Sequence, residues 1–143
     1  FITNALEDQP MPVYGTGQNL RDWIYVGDHC EALRRLCFAP DVVGEVWNIG
    51  GGEEHSSLEI GRLILSQLGK SESLIRHVTD RPGHDRRYAL DCSKIRQRLG
   101  FVPEIKFAEG AERTVRWYAE HRDWWEKVKR GAFREYYEKA YKL

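Results

Sequence analysis

Apolar residues recur along the chain at two spacings, and the alternation between them divides the sequence into predicted helices and strands. Helical spacing predicts helices at residues 1–6, 28–39, 56–69, 91–100, 107–130 and 133–141. Short apolar or alternating runs predict strands at 13–14, 21–26, 45–49 and 75–79, with an extended return at 88–90. This order predicts an α/β protein, or α+β for a partial chain, with a small sheet and flanking helices.

Local signals mark where two of the helices begin. Asp28 with Glu31, and Ser56 with Glu59, have the spacing of a capping box, in which two side chains satisfy the first backbone N–H groups of a helix. The helix after Asp28 is predicted to stop before Pro40. Its predicted inward-facing residues are Ala32, Leu33, Leu36 and Cys37.

The charge of the chain is balanced, because its 143 residues include 22 Lys+Arg and 22 Asp+Glu. A balanced chain has no broad basic field for nucleic acid, so any anion site must be local. No apolar run approaches the roughly 20 residues of a membrane span, and the first residues lack a signal-peptide pattern. We therefore predict a cytoplasmic protein without nucleic-acid or membrane partners. The first residue is not methionine and lies in helical sequence, which suggests part of a longer chain.

Cysteine and histidine spacing gives no indication of a metal site. The three cysteines lack CxxC spacing and the five histidines lack HExxH spacing, so neither a disulfide framework nor a zinc site is predicted. The aromatic residues of 107–130 are interleaved with balanced charges, which favours a packed core over a base-stacking platform.

Two glycine-rich stretches follow predicted strands. Gly15-Thr16-Gly17 is followed by an extended run instead of a helix, so a dinucleotide-binding loop is not predicted there. Residues 50–52 are all glycine, which indicates either a tight turn or a close approach of the backbone to a ligand. Asn48, a polar residue in a predicted strand, needs a hydrogen-bond partner if it is buried.

The strongest candidate chemistry lies in residues 80–88, where three arginines, a histidine and two aspartates surround Pro82-Gly83. Guanidinium groups bind phosphate oxygens bidentately, and a Pro-Gly turn fixes the loop so that backbone N–H groups can face the same anion. We therefore predict a phosphorylated ligand. The alternative is a solvated loop whose arginines pair with Asp80, Asp85 and Asp91.

Five segments together carry a resemblance that extends over essentially the whole chain. They are Arg21-Asp22-Trp23, Asn48-Ile49-Gly50-Gly51, residues 80–88, Trp117-Tyr118 and the tyrosine-rich tail. In order and spacing they resemble the carboxy-terminal part of the dTDP-glucose 4,6-dehydratases, a family of extended short-chain dehydrogenases/reductases. The resemblance implies a nucleotide-sugar-binding domain spanning residues 1–143.

The resemblance also implies roles for individual residues. Arg21 and Arg81 match the diphosphate-binding arginines of the family, with Asn48 and His84 beside them. Tyr141 falls where the family has a tail tyrosine near the substrate. The other implied nucleotide contacts are Pro12, Val13 and Tyr14 along the base, and Asp80, Pro82 and Gly83 in the loop that wraps the nucleotide.

The redox chemistry of the family is implied to lie outside this sequence. The family oxidises the sugar at C4 with NAD, eliminates water across C5 and C6, and returns the hydride to C6. No tyrosine here is followed four residues later by lysine, and no dinucleotide glycine fingerprint is present. We therefore expect no catalytic residue and no cofactor site on this chain. The amino-terminal Rossmann domain would bind NAD, and the intact protein would form a homodimer.

Two alternatives remain open from the sequence. The chain could be a free-standing nucleotide-sugar-binding module, or it could belong to a UDP- or CDP-sugar epimerase or dehydratase.

Overall fold

The computed structural model describes residues 1–130, 136–137 and 139–140. The helices are α1 (Ile2–Leu6), α2 (Val26–Phe38), α3 (Ser57–Gln67), α4 (Ser93–Leu99), α5 (Phe107–Glu120) and α6 (Arg122–Lys129), with a 3₁₀ turn at Glu72–Leu74. The strands are β1 (Met11–Tyr14), β2 (Leu20–Trp23), β3 (Glu53–Ser56), β4 (Ile75–Val78) and β5 (Arg87–Tyr88). The predicted α/β character, with small sheets and flanking helices, is confirmed.

The strands form two small sheets. In the first, β1 pairs in parallel with β4, so that Met11 lies opposite Ile75 and Tyr14 opposite Val78. In the second, β2 is central, antiparallel to β3 on one side and parallel to β5 on the other. Both parallel pairs join segments far apart in sequence, which requires the intervening chain to cross over.

The buried apolar residues form two clusters. One unites α1, β1, α3 and α5 through Ala5, Met11, Ile64, Leu65 and Val115. The other unites α2 and α4 through Ala32, Ile95 and Phe101. The described helices include none that is long and apolar enough to cross a bilayer.

The predicted strand at 45–49 is wrong, because that segment has no strand partner in the structure. Its polar groups bond to the region around α4 instead. The Lys94 ammonium donates to the carbonyl oxygen of Val46 at 2.7 Å, and the Asn48 amide donates to that of Asp91 at 3.1 Å. Side chains thus take hydrogen bonds that a neighbouring strand would otherwise supply. The strand that does form nearby is β3.

The predicted capping box at Asp28 is also wrong, since α2 already begins at Val26 with Tyr25 as its N-cap. Asp28 is buried in the first turn, and its carboxylate accepts a hydrogen bond from the N–H of Ile105 at 2.9 Å. The residue fastens the segment before α5 to α2. Of the four residues of α2 predicted to face inward, Ala32 is buried and Leu36 is half-buried, whereas Leu33 and Cys37 are exposed.

The single helix predicted for 107–130 is divided at His121, where the backbone leaves helical geometry. The indole N–H of Trp125 donates to the carbonyl oxygen of Tyr118 at 2.8 Å and holds α6 against the end of α5.

The predicted capping box at the start of α3 is confirmed. The Ser56 hydroxyl accepts a hydrogen bond from the N–H of Glu59 at 3.2 Å, and the Glu59 carboxylate accepts one from the N–H of Ser56 at 2.6 Å. That second bond lowers the pKa of Glu59 below its ordinary value. Because Ser56 also ends β3, the box fixes where the second sheet meets the first cluster.

We expect Ser56→Ala to reduce the free energy of unfolding by about 0.5–2 kcal/mol, because an N-terminal N–H group of α3 loses its acceptor. Urea unfolding measures the difference. Ser66→Ala, an exposed change in the same helix, is the control and should stay within about 0.5 kcal/mol of the parent. Equal losses in the two variants would contradict a capping role for Ser56.

The Glu59 carboxylate predicts a pH dependence of stability. A carboxyl group whose pKa is lowered by folding stabilises the folded state. This contribution is complete at pH values above the ordinary glutamate pKa, and it is lost as the pH falls through the lowered pKa. Unfolding followed from pH 7 to acid should therefore show Glu59→Gln less stable than the parent at neutral pH. The gap should narrow on acidification, and a constant gap would be inconsistent with this linkage.

Candidate functional site

The central strand β2 carries the two residues around which the candidate site is built. Arg21 and Asp22 are consecutive in β2, and consecutive strand residues point to opposite faces of the sheet. Their side chains therefore contact different segments of the chain. Asp22 holds the glycine-rich segment that precedes β3, and Arg21 contacts the loop that leads into β5.

Asp22 fastens the three consecutive glycines to β2. One oxygen of its carboxylate accepts hydrogen bonds from the N–H groups of Gly51 at 3.0 Å and Gly52 at 2.8 Å. A Cβ on Gly51 would collide with the carbonyl oxygen of Trp23, and one on Gly50 would collide with the Asp22 carboxylate. The glycines thus permit two protein backbones to approach closely. The backbone that these glycines allow to approach is that of β2. The sequence alone leaves open that the close partner is a ligand.

The loop between β4 and β5, residues 79–86, is called the Asp80 loop below. Where it leaves β4, it packs against the turn after β1. The N–H of Gly15 donates to the carbonyl oxygen of Val78 at 2.9 Å, and the His77 ring lies 2.7 Å from the carbonyl oxygen of Gly15. A Cβ on Gly15 would lie only 2.7 Å from the Asp80 carboxylate. The turn after β1 is therefore shaped to receive this loop.

Where the Asp80 loop enters β5, it is bonded to the start of β2. The N–H of Leu20 donates to the carbonyl oxygen of Arg86 at 2.9 Å. The Asn19 amide donates to the carbonyl oxygen of Asp85, also at 2.9 Å. Both ends of the loop are thus anchored to the segment that connects β1 with β2.

Arg21 lies over the ring of Tyr88, its register partner in β5. The central carbon of the guanidinium is 4.4 Å from the ring centroid, a cation–π distance. The same guanidinium donates to the carbonyl oxygens of Leu20 at 2.6 Å and Asp85 at 3.0 Å. The Tyr88 hydroxyl donates to the Asp85 carboxylate.

Arg81 acts electrostatically on the same tyrosine. The pKa of Tyr88 is raised above its ordinary value, mainly because its hydroxyl donates to the Asp85 carboxylate, and the positive charges of Arg21 and Arg81 both oppose that rise. That Arg21 and Arg81 bind one diphosphate remains a prediction, because the structure shows no direct contact between Arg81 and Tyr88 among the described residues. The two arginines come from two segments that lie 60 residues apart in the sequence.

Asp80 and His84 bond to each other within the loop. A ring nitrogen of His84 donates to the Asp80 carboxylate at 2.6 Å, and the N–H of Arg81 donates to the same oxygen at 2.9 Å. These bonds lower the pKa of Asp80, with the bond from His84 contributing most. The His84 side chain is only 10% exposed and packs edge-on against the Tyr14 ring. His84 therefore stabilises the loop and links it to β1.

Asp80, Asp85 and Asp91 form no ion pair with the arginines of residues 80–88, so the alternative of internal ion pairing is wrong for these three aspartates. Among the described residues, Asp80 bonds to His84, Asp85 to Tyr88 and Asp91 to Ser93. Arg87 is paired bidentately, but with Glu54 of β3, at 2.5 and 2.6 Å. The guanidiniums of Arg81 and Arg86 form no hydrogen bond or ion pair with the part of the chain that the structure describes.

The other predicted contact residues are more scattered. Pro12 and Val13 are buried in β1, whereas Tyr14 is half-buried at its end, and Pro82 and Gly83 are exposed at the tip of the loop. Asn48 is exposed and bonds to Asp91, and neither arginine shares that bond. Tyr141 lies outside the described residues. The ligand contacts predicted for all of these remain predictions.

Asp22, Asp85 and Tyr88 support the site but carry no predicted ligand role in the sequence. The two-residue strand β5 gives too short a pattern to reveal that Tyr88 pairs with Arg21. The available signal was local: an aromatic residue directly follows a cluster of arginines.

A cavity of about 380 Å³ opens beside this cluster, lined by Arg21, Asp22, Arg87, Tyr88, Ala89 and Leu90. A larger cleft of about 600 Å³ lies between β2, α3 and α5, and its lining is aromatic and aliphatic apart from Arg113 and Thr114. A diphosphate needs cationic and N–H donors, so the smaller cavity suits it better despite its size. No group of three potential metal ligands occurs among the described residues.

Comparisons with known proteins agree with this architecture. The family model for GDP-mannose 4,6 dehydratase matches residues 1–114. A dTDP-glucose 4,6-dehydratase from Streptomyces niveus is 49% identical over 129 residues, which is 90% of this chain and 38% of that protein. The crystal structure of DesIV, a dTDP-glucose 4,6-dehydratase from Streptomyces venezuelae solved with NAD bound, has a TM-score of 0.84 and 44% identity, covering 90% of this chain and 39% of that one.

A more distant likeness is to UDP-glucuronic acid 4-epimerase from Bacillus cereus, with a TM-score of 0.76 and 28% identity over 83% of this chain and 38% of the epimerase. The fold is thus that of the corresponding part of extended short-chain dehydrogenases/reductases. Within that class, the chain belongs to the GDP-mannose 4,6-dehydratase family. It spans about two-fifths of the length of the dehydratases that it matches.

We expect Gly51→Ala to reduce the free energy of unfolding by about 3 kcal/mol or more, because the new methyl group meets the rigid backbone of Trp23. Gly52→Ala is the matched control. Its Cβ would enter open space, and only its left-handed conformation, with φ of 73°, costs about 1–2 kcal/mol. Urea unfolding of both variants compares them. An equal loss in the two would show that the Gly51 contact with β2 is unimportant.

Proposed function

We propose that this chain is the carboxy-terminal nucleotide-sugar-binding portion of a dTDP-glucose 4,6-dehydratase. The observation that carries the proposal is the match to such enzymes at 41–49% identity across about nine-tenths of the chain. The epimerase likenesses have 26–29% identity. Supporting it, Arg21 and Tyr88 line a small cavity beside the Asp80 loop, which carries Arg81.

The geometry supports a diphosphate as the group bound at this point. Arg21 directs two of its five N–H donors to backbone carbonyl oxygens of described residues, which leaves three for a ligand. Arg81 keeps its whole fork available to a ligand. Two guanidiniums from separate segments can bind the oxygens of both phosphates. The Asp85 carboxylate accepts from the Tyr88 hydroxyl and forms no ion pair with either arginine among the described residues.

In this proposal the dehydratase reaction takes place in the intact protein, on dTDP-glucose. NAD supplies oxidation at C4 and later returns the hydride to C6, with loss of water between C5 and C6. The present sequence has no glycine fingerprint for a dinucleotide, so we assign NAD and the catalytic residues to the remainder of the protein. The part played by these 143 residues is to bind and orient the nucleotide diphosphate.

We further propose that the intact protein is cytoplasmic and acts as a homodimer whose contacts lie largely outside residues 1–143. All three cysteines are unpaired, which suits a reducing compartment.

The proposal is tested with these 143 residues joined to the remainder of the dehydratase. We expect conversion of dTDP-glucose to dTDP-4-keto-6-deoxyglucose, detected by mass spectrometry as loss of one water. Competition among dTDP, UDP and CDP then identifies the base. Turnover of a UDP- or CDP-sugar in preference would favour the epimerase or other-dehydratase alternative. Micromolar dTDP-glucose binding by residues 1–143 alone, without turnover in the joined protein, would favour a free-standing binding module.

We expect Arg21→Ala and Arg81→Ala each to weaken dTDP binding by about 1.5–3 kcal/mol, the range for hydrogen bonds to charged groups. Lysine replacements should restore only part of the affinity, because the bidentate fork is lost. Isothermal titration with dTDP, in the joined protein, measures the change.

Arg116→Ala is the matched control, since Arg116 is an exposed arginine paired with Glu112 on α5, away from the Asp80 loop. It should bind dTDP as the parent does. Unchanged affinity in both the Arg21 and Arg81 variants would refute the diphosphate assignment.

A further inference from the structure

The Arg21 side chain is held from three directions before any ligand is considered. Its guanidinium rests on the Tyr88 ring at 4.4 Å and donates to the carbonyl oxygens of Leu20 and Asp85. An arginine side chain loses about 2 kcal/mol of rotamer freedom when it is fixed, and a guanidinium fixed in advance avoids that loss on binding. Arg21 therefore has the surroundings of a preorganised group.

Asp85 and Tyr88 contact the Arg21 side chain and are also bonded to each other. The Tyr88 hydroxyl donates to the Asp85 carboxylate, and the backbone carbonyl of the same aspartate accepts hydrogen bonds from Arg21 at 3.0 Å and from Asn19 at 2.9 Å. The hydroxyl therefore links the Tyr88 ring, which lies beneath the guanidinium, to Asp85, whose carbonyl oxygen accepts a hydrogen bond from that guanidinium. This link fixes both supports of Arg21 relative to each other.

Strand pairing sets the position of the ring. Arg21 and Tyr88 are register partners in the parallel pair of β2 and β5, and partners in adjacent strands lie on the same face of a sheet. Tyr88 is 52% exposed, so core packing does not explain its orientation. The contacts of Tyr88 with Arg21 and Asp85 explain its orientation.

We propose that Tyr88 and Asp85 are positioning residues, which hold the Arg21 guanidinium in the orientation that binds the diphosphate. The inference rests on the proposed function for its ligand, but the restraint on Arg21 is a property of the unliganded protein. Tyr88 acts through its ring, and Asp85 acts through its backbone carbonyl and through the bond that its carboxylate accepts.

The first test measures dTDP affinity by titration calorimetry in the joined protein. Tyr88→Phe keeps the ring and loses the hydroxyl bond, so we expect about threefold weaker binding. Tyr88→Leu loses both contacts, so we expect about tenfold weaker binding. Tyr118→Phe, on α5, is the control and should match the parent. Thermal unfolding of each variant checks that the fold is retained.

A double-mutant cycle separates positioning from a general structural effect. If Tyr88 acts through Arg21, adding Tyr88→Leu to Arg21→Ala should weaken binding no further than Arg21→Ala alone. A further tenfold loss in the Arg21→Ala background would overturn the proposal. So would parental affinity in Tyr88→Leu.

The second test needs no ligand. The ring current of Tyr88 should shift the NMR signal of the Arg21 side-chain N–H. This shift should remain in Tyr88→Phe, which keeps the ring. In Tyr88→Leu the signal should move to the position of a free arginine. If the shift is present but the protein does not bind dTDP, the proposed function fails and the restraint on Arg21 stands. Absence of any Tyr88-dependent shift would overturn the restraint itself, whatever the outcome of the titration.

Discussion

The pairing of β2 with neighbours from distant parts of the chain is the constraint on which the candidate site depends. β2 is only four residues long, yet it bonds to β3, to β5 and, through Asp22, to the glycines before β3. A register shift of one residue would turn Arg21 and Asp22 to the opposite faces, because strand side chains alternate with a period of two. The positions of Arg21 and of the glycine segment are thus set together.

The carboxylates of the candidate site support the local structure, and in our proposal the guanidiniums of Arg21 and Arg81 bind the ligand. Asp22 accepts from backbone N–H groups, Asp80 from His84, and Asp85 from Tyr88. Each carboxylate bonds to a neutral or titratable donor near the arginines without forming an ion pair with Arg21 or Arg81. These bonds fix the orientation of each carboxylate but do not remove its negative charge.

The sequence comparison and the fold comparison indicate the same family. The structure shows in addition how the Arg21 side chain is held in place. The chain covers about two-fifths of its relatives, and the redox chemistry belongs in our proposal to the remainder. In the same proposal, the described side chains of this chain bind and orient the nucleotide diphosphate. That division agrees with the absence from this sequence of a dinucleotide fingerprint.

The sequence by itself determined the features that depend on neighbouring residues. The capping box at Ser56, the strand at 75–78 and the α/β character all follow from short-range spacing, and motif order was sufficient to indicate the family. Only the tertiary structure decided which strands pair, that residues 45–49 bond to the α4 region, and that Asp28 anchors the segment before α5. It also placed Tyr88 beneath Arg21. The physical reason is that parallel pairing and side-chain bonds to a distant backbone leave no local periodic pattern, so the partner becomes evident only once the chain is folded.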